Sequence, residues 1–266
     1  GTNFGATRGS TGKIGTAYTF AAAENDYVDI GKVCKPTTGI TLTSWIYPSI
    51  QINDWAGIII NLKYYGPADQ NGYSMFIDSS KLVCELFNRT NYAQVYSNTI
   101  ITPNTWHFVA LTWNGTTVNV YVDSIYPDAS AARTTLIGYD PDSSLRFGSH
   151  SPNYDYNGRL DEVGIWNRAL TPDELYMVYN NGNGLSYPFN ISLTTSIPTV
   201  TTNTISNIGT NSATCGGNVI LDGSLAVIAR GVCWATSPNP TIANYLTNNG
   251  VGKGTFISNL TGLSPN

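Results

Sequence analysis

Short segments in which apolar and polar residues alternate recur through the first 190 residues of this 266-residue chain, each closed by Gly, Pro, Asn or Asp. A period of two places alternate side chains on opposite faces of a strand. The pattern therefore dictates sheets with one face buried. The segments are 17–20, 27–30, 40–46, 58–63, 73–77, 81–87, 93–96, 106–113, 118–122 and 145–148. The run at 58–63 is almost continuously apolar and predicts a buried strand. Asn114 and Gly115, between two of the segments, are a hairpin signal. Strands recurring roughly every 8 to 12 residues build a sandwich or jelly roll. The expected fold class is all-β.

The densest local signal lies at 158–175. Strict alternation over 160–166 would put Leu160, Glu162, Gly164 and Trp166 on one face, and Asp161, Val163, Ile165 and Asn167 on the other. Thr171 then reads as a helix N-cap, Pro172 as the first helical residue and Glu174 as the far half of a capping box. One short helix is predicted behind this strand.

Composition narrows the class of protein. Only 11% of residues are charged, while 17 are Tyr and 26 are Gly. A disordered chain would carry more charge and fewer aromatics; this balance suits a secreted or surface β-protein. The net charge of −4 offers no basic footprint, so nucleic acid is not an expected partner. No apolar run approaches the roughly 20 residues that span a bilayer, so membrane insertion is not expected. The sequence opens at Gly1 with no signal segment, and the expectation is a piece of a longer precursor. Four cysteines are too few for a disulfide framework at this length, and no Cys-x-x-Cys pattern suggests zinc. Free thiols and disulfides both remain open, with Cys215 and Cys233 the better-placed pair and Cys34 and Cys84 the other.

Near 180–184 the composition shifts, and 190–211 is rich in Ser, Thr, Asn and Ile with almost no charge. A second set of strands is predicted at 199–202, 212–219, 227–234 and 254–260. The expected domains are 1–190 and 191–266.

Residues 15–185 resemble the concanavalin A-like, laminin-G-like jelly roll. The resemblance is carried by Gly15, Tyr18 and Phe20 leading into Asn25, Asp26, Tyr27 and Asp29; by Thr43, Trp45 and Pro48; by Trp106, Phe108 and Trp113; by 118–123; and by 158–175 in full. Ala21, Ala22 and Ala23 stand where the family usually has Asn or Asp followed by Gly. Such domains usually open further upstream, with a strand beside the closing one. The resemblance thus implies a missing first strand and an edge at 160–166 that another segment must cover. Residues 197–266 resemble a fibronectin type III-like or immunoglobulin-like repeat of Bacteroidetes-type surface proteins, through 213–218, 229–241 and 256–266. Such repeats continue with further strands after their Pro-Asn, so this one is expected to be partial.

Three candidate sites follow. The family resemblance implies a structural calcium at Asn25 and Asp26 set against Asp161 and Glu162; the alternative is that these carboxylates cap turns by bonding backbone amides. Glu24, Asp26 and Asp29 superficially resemble the acidic strand of jelly-roll glycosidases, but retaining chemistry needs two carboxyls about 5 Å apart on one face, which this spacing denies. Trp55, Tyr64, Tyr65, Asn71, Tyr92, Tyr154, Asp155, Tyr156 and Asn157 fall in segments rich in Gly, Asn and Asp, where aromatic faces and amides could hold a sugar; of these, Tyr64, Tyr65, Asn71, Tyr154, Asp155 and Tyr156 form the predicted ligand set. Trp45, Trp106, Trp113 and Trp166 are expected in the core, and His107 is expected to pack. The function expected is a non-catalytic module binding glycan or another surface ligand on a secreted or surface bacterial protein. A structural or adhesive spacer is the alternative, and an accessory part of a glycoside hydrolase the third.

Overall fold

The computed structural model describes residues 1–49, 55–66, 69–89, 91–149, 154–186, 197–222 and 227–264. The chain divides into two compact units, Gly1–Phe189 and Asn190–Asn266. In the first, the strands are β1 (Thr2–Phe4), β2 (Thr7–Thr11), β3 (Thr16–Phe20), β4 (Tyr27–Gly31), β5 (Ile40–Pro48), β6 (Ala56–Gly66), β7 (Asp69–Asp78), β8 (Lys81–Arg89), β9 (Asn91–Ile100), β10 (His107–Trp113), β11 (Thr117–Val122), β12 (Ala129–Ala132), β13 (Leu145–Phe147) and β14 (Gly158–Trp166). They form two antiparallel sheets. Sheet one runs β1-β4-β13-β6-β7-β8-β9 and sheet two runs β12-β11-β10-β5-β14-β3-β2.

The alternating rows meet between the sheets. Ile58, Tyr73, Met75, Leu82 and Leu86 of sheet one pack in one cluster with Ile40, Leu42, Ile46, Leu111 and Val120 of sheet two. Two smaller clusters lie on the outer faces. Ile60, Phe76 and Val83 form one on sheet one. On sheet two, Trp45, Phe108, Ala110 and Tyr121 are covered by Leu170, Leu175 and Val178. The last two belong to helix α1 (Pro172–Tyr179), which opens with the predicted capping box: Thr171 accepts from the Glu174 amide, and Glu174 accepts from the Thr171 amide. The Thr41 hydroxyl anchors the approach to this helix, donating to the Arg168 carbonyl and accepting from the Leu170 amide.

Several expectations need correction. The resemblance implied a missing first strand, yet residues 2–11 supply β1 and β2, so the first unit has strands ahead of β3. Their residues are almost all exposed, and an exposed edge strand has no buried row to betray it. The edge of β14 is covered over Gly158–Leu160 by β3, which β2 backs. Beyond Leu160, among the described strands, β14 pairs with β5 alone. Strict alternation also fails in β14. The register shifts between Asp161 and Gly164, and Glu162 takes a left-handed backbone, φ 46°. That bulge returns Val163 and Ile165 to the core beside Leu160 and sends Trp166 outward to the helix cluster. Trp45 and Trp113 are buried as expected, whereas Trp106 and Trp166 are half-buried on the outer face.

The second unit holds β15 (Thr199–Thr202), β16 (Ser212–Leu221), β17 (Cys233–Trp234), β18 (Tyr245–Leu246) and β19 (Gly254–Thr261). They make a sheet β15-β16-β19 and a ribbon β17-β18. The strand predicted over 227–234 shrinks to β17. The Val232 amide donates to the Thr247 hydroxyl and not to a backbone carbonyl, which breaks the regular ladder there. All four cysteines are free thiols, including Cys215 and Cys233, whose sulfurs turn to the carbonyls of Asn203 and Pro240. An open cleft of about 550 Å³ between sheet and ribbon is lined by Val200, Val227, Arg230 and Phe256.

The capping box carries a pH signature. Glu174 accepts two bonds of 2.6 Å from the Arg168 guanidinium. That pairing, reinforced by Thr171, pulls its carboxyl from 4.5 down to about 2. A lowered folded value means the stabilisation is complete above about 4.5 and is lost as pH falls toward about 2. The stability difference between the native chain and Glu174→Gln, from denaturant midpoints, is therefore expected to shrink across that window. Thr171→Ala is expected to cost about 1 kcal/mol at neutral pH.

Candidate functional site

The four residues implied for calcium fall at opposite ends of one strand. Asp26 is buried, and its Oδ2 accepts from the Ala21 amide at 2.9 Å, just past the end of β3. Asn25 sits beside it in a left-handed conformation, ending a short 3₁₀ turn. Asp161 is buried too, but its Oδ2 accepts from the Ile14 amide at 2.9 Å, just before the start of β3. Its Oδ1 accepts from the Glu162 amide. Five residues of strand separate these anchor points, roughly 17 Å at the usual rise. Among the described residues no three His, Cys, Asp or Glu side chains gather as a metal site. These residues do not fit a single calcium cage, which wants six to eight converging oxygens.

The acidic run is divided as well. Glu24 lies in the 3₁₀ turn, Asp26 precedes β4, and Asp29 lies within β4. Asp29 accepts from the Gly31 amide, from Ser144 and from the Arg146 guanidinium. Burial opposes ionisation of its carboxyl, but these bonds outweigh it and hold the carboxyl below its ordinary value. The arrangement supplies no carboxylate pair sharing a strand face.

The predicted ligand set also separates. Tyr156 is 1% exposed. Its ring meets Phe20 edge-on at 6.4 Å, and burial drives its phenol well above the ordinary value. It is a core residue and not a sugar platform. Asp155 is likewise buried, paired across a β-bridge with Ser149. Asn71 is buried, with Oδ1 accepting from the Arg89 amide, and it packs so close to Gly138 that a side chain there would touch it. It is a structural tie. The side chains of Tyr64 and Tyr65, at the end of β6, lie outside the described residues. Among the described members Tyr154 is the exposed one, at 43%.

Tyr154 is not isolated. Its ring lies 6.3 Å from that of Trp55, and Trp55 stacks on Phe76 at 5.0 Å and 8°. Phe76 belongs to the outer-face cluster of sheet one. Trp55 has a left-handed backbone, φ 62°, uncommon for a bulky side chain and the kind of strain that gathers at functional positions. The Tyr154 carbonyl accepts from the Gly57 amide, tying this residue to the start of β6. The result is a graded aromatic step: Phe76 buried, Trp55 half-buried, Tyr154 exposed. Sequence had flagged Trp55 and Tyr154 but not Phe76. The signal available was the Met75-Phe76-Ile77 triplet of β7, which puts apolar side chains on both faces of the strand.

Two further titratable groups are structural. Glu85, on the same outer face, accepts from Ser74 and Gln94 at 2.7 Å each, and burial raises its carboxyl above the ordinary value. His107 pairs with Asp123 at 2.6 Å and meets Thr102 through Nε2. Burial lowers its imidazole, but the Asp123 bond and charge outweigh that and leave it raised.

Residues 22–176 match the model of the concanavalin A-like lectin/glucanases superfamily. Among solved structures, domain 4 of AbnA, an extracellular arabinanase from Geobacillus stearothermophilus in complex with arabinotriose, is similar at 16% identity. The match covers 69% of this chain and 82% of that one, with a TM-score of 0.51. The binding domain of Paraclostridial Mosquitocidal Protein 1 is similar at 15% identity, over 93% of this chain and 70% of that one, with a TM-score of 0.54. At these identities the likeness is one of fold. No curated protein sequence matches the chain.

If Asp161 anchors backbone and not metal, Asp161→Asn should lower stability by about 1–2 kcal/mol through its weakened bonds to Ile14 and Glu162. The loss should be equal with calcium and with a chelator. A loss seen only with calcium would show that the residue holds the ion.

Proposed function

The chain belongs to the concanavalin A-like lectin/glucanases superfamily, and from that premise we propose that its first unit is a non-catalytic glycan-binding module of a secreted or surface-exposed bacterial protein. The observation that carries this is the Phe76–Trp55–Tyr154 step on the outer side of sheet one. Sugars present apolar C–H faces that stack on such rings, and a step with a buried foot and an exposed top holds its rings in place before a ligand arrives. The dispersal of Glu24, Asp26 and Asp29 favours binding without hydrolysis. A similar arabinanase domain is known in complex with arabinotriose, which makes arabino-oligosaccharides the first ligands to try. The second unit serves in this proposal as a fibronectin-like spacer.

One observation favours a protein-contacting role for that second unit. Ile197, Ile208, Ile242 and Ile257 are each more than 70% exposed, and such residues mark a contact surface where they join into one contiguous patch.

Titration calorimetry with arabinotriose tests the main proposal. Tyr154→Ala and Trp55→Ala are each expected to weaken binding about tenfold. Glu24→Gln is expected to leave it unchanged, and no reducing ends should be released. Binding indifferent to both aromatic substitutions would remove this site.

A further inference from the structure

The outer face of sheet two carries a second arrangement, on the other sheet from Phe76. Register places Arg159 opposite Tyr47 on one side and Thr19 on the other. The neighbouring Ile46 and Leu160 point into the core, so Tyr47 and Arg159 point outward. Trp106, one residue ahead of His107, which lies opposite Ile46, extends the row. The Arg159 guanidinium lies 3.9 Å from the Tyr47 ring centroid and 5.3 Å from that of Trp106. The two rings are 5.4 Å apart. At the other end of the row the Thr19 hydroxyl donates to Ser10.

The next row on the same face holds Trp45 opposite Asp161, with the Lys13 ammonium 4.5 Å over the Trp45 ring. Rows two residues apart on one strand are separated by roughly 7 Å. Two cations thus share one face. Among the described residues neither Arg159 nor Lys13 has a carboxylate at ion-pair distance, whereas Lys32, Arg146, Arg168 and Lys253 each have one. The acid nearest in register, Asp161, is buried and directs its two oxygens to the amides of Ile14 and Glu162, not to either cation. Arg159 gives one N–H to the Thr11 carbonyl, leaving most of its five donors for other partners. Helix α1 packs over Trp45, yet Tyr47, Trp106 and Arg159 stay half-exposed.

We propose that this row is a second carbohydrate subsite, one that takes a uronic acid residue of an acidic polysaccharide. The guanidinium receives the sugar carboxylate in its planar fork, already held flat by the rings beneath it. Trp106 offers a face to the sugar ring, and Lys13, one row away, receives the next negative group along the polymer. An aromatic ring under an arginine is commonly a packing clamp and nothing more. Here the two cations stand on neighbouring rings of one face, each without a carboxylate at ion-pair distance among the described residues, and the Arg159 fork keeps open donors; that pairing of fork and rings points to an anionic sugar as partner. The subsite stands independently of the Trp55–Tyr154 step.

The test is titration of the full chain with oligogalacturonate, with dextran sulfate and arabinotriose as comparison arms. Oligogalacturonate should bind and weaken as salt rises. Arg159→Gln should weaken it roughly tenfold and Arg159→Lys about threefold, since lysine keeps the charge but not the fork. Lys13→Gln should weaken it about threefold, and Lys32→Gln, whose ammonium pairs with Asp142, should leave it unchanged. Melting temperatures identify any variant that fails to fold; should Arg159→Gln fail, Arg159→Lys and Lys13→Gln carry the test. Three results would overturn the subsite: no oligogalacturonate binding by the intact chain, unchanged binding in folded Arg159→Lys and Lys13→Gln, or dextran sulfate binding equally well and falling in parallel. In the first case, retained arabinotriose binding would leave the Trp55–Tyr154 step standing.

Discussion

The bulge at Glu162 decides how the first unit is assembled. Leu160 and Trp166 are six residues apart on one strand, and an unbroken strand would point both the same way. Leu160 must be in the core and Trp166 must meet the helix cluster, so the strand has to change parity between them. The left-handed φ of 46° at Glu162 makes that change. A residue other than glycine in this region costs on the order of 1–2 kcal/mol. The strain is offset locally, since the Asp161 carboxylate accepts the Glu162 amide and, with its other oxygen, the Ile14 amide. One buried carboxylate therefore fixes the bulge, the turn before β3 and, through Trp166, the outer face on which α1 rests. A polar side chain at this point is the means by which two apolar surfaces are served by one strand.

This explains what could be read from the residues alone and what could not. The strands with a buried row were legible because burial imposes a period of two, and α1 was legible because capping chemistry is local to Thr171, Pro172 and Glu174. The bulge left no such trace. Val163 and Ile165 look like the face opposite Leu160 until one extra residue is inserted, and nothing within 158–166 announces the insertion. The polar edge strands β1 and β2 were invisible for the complementary reason: hydrogen bonds to β4 and β3 hold them, and hydrogen bonding selects no residue type.

The candidate site shows the same limit at closer range. Tyr154 and Tyr156 are equivalent in the sequence, two tyrosines about one aspartate. In the fold one is 43% exposed and the other 1%. The difference is made by residues outside this triplet. Gly148 has no side chain, and any Cβ there would strike the Phe20 ring at 2.2 Å. That vacancy lets Phe20 sit against Tyr156 and close the core, while the Tyr156 amide bonds the Gly148 carbonyl. Loop aromatics announce themselves by type, but their burial is set by which glycine lies across from them.

The two aromatic surfaces differ in how they are held, and this bears on what each could recognise. Trp55 and Tyr154 are set by loop backbone and by one stack on Phe76. Arg159 and Tyr47 stand on paired strands, with Trp106 at the mouth of β10. Register within a sheet fixes side-chain spacing to a fraction of a residue, because a slip of one would turn Leu160 and Ile46 out of the core. A row on strands therefore suits a ligand whose acidic group must meet the Arg159 fork at a fixed place, such as an acidic sugar. A loop-borne step can adjust to the shape of a neutral sugar end. Where order is supplied by the core, the cost of arranging the binding groups has already been met on folding. On that ground the strand-borne row should discriminate by geometry and the loop-borne step by contact area.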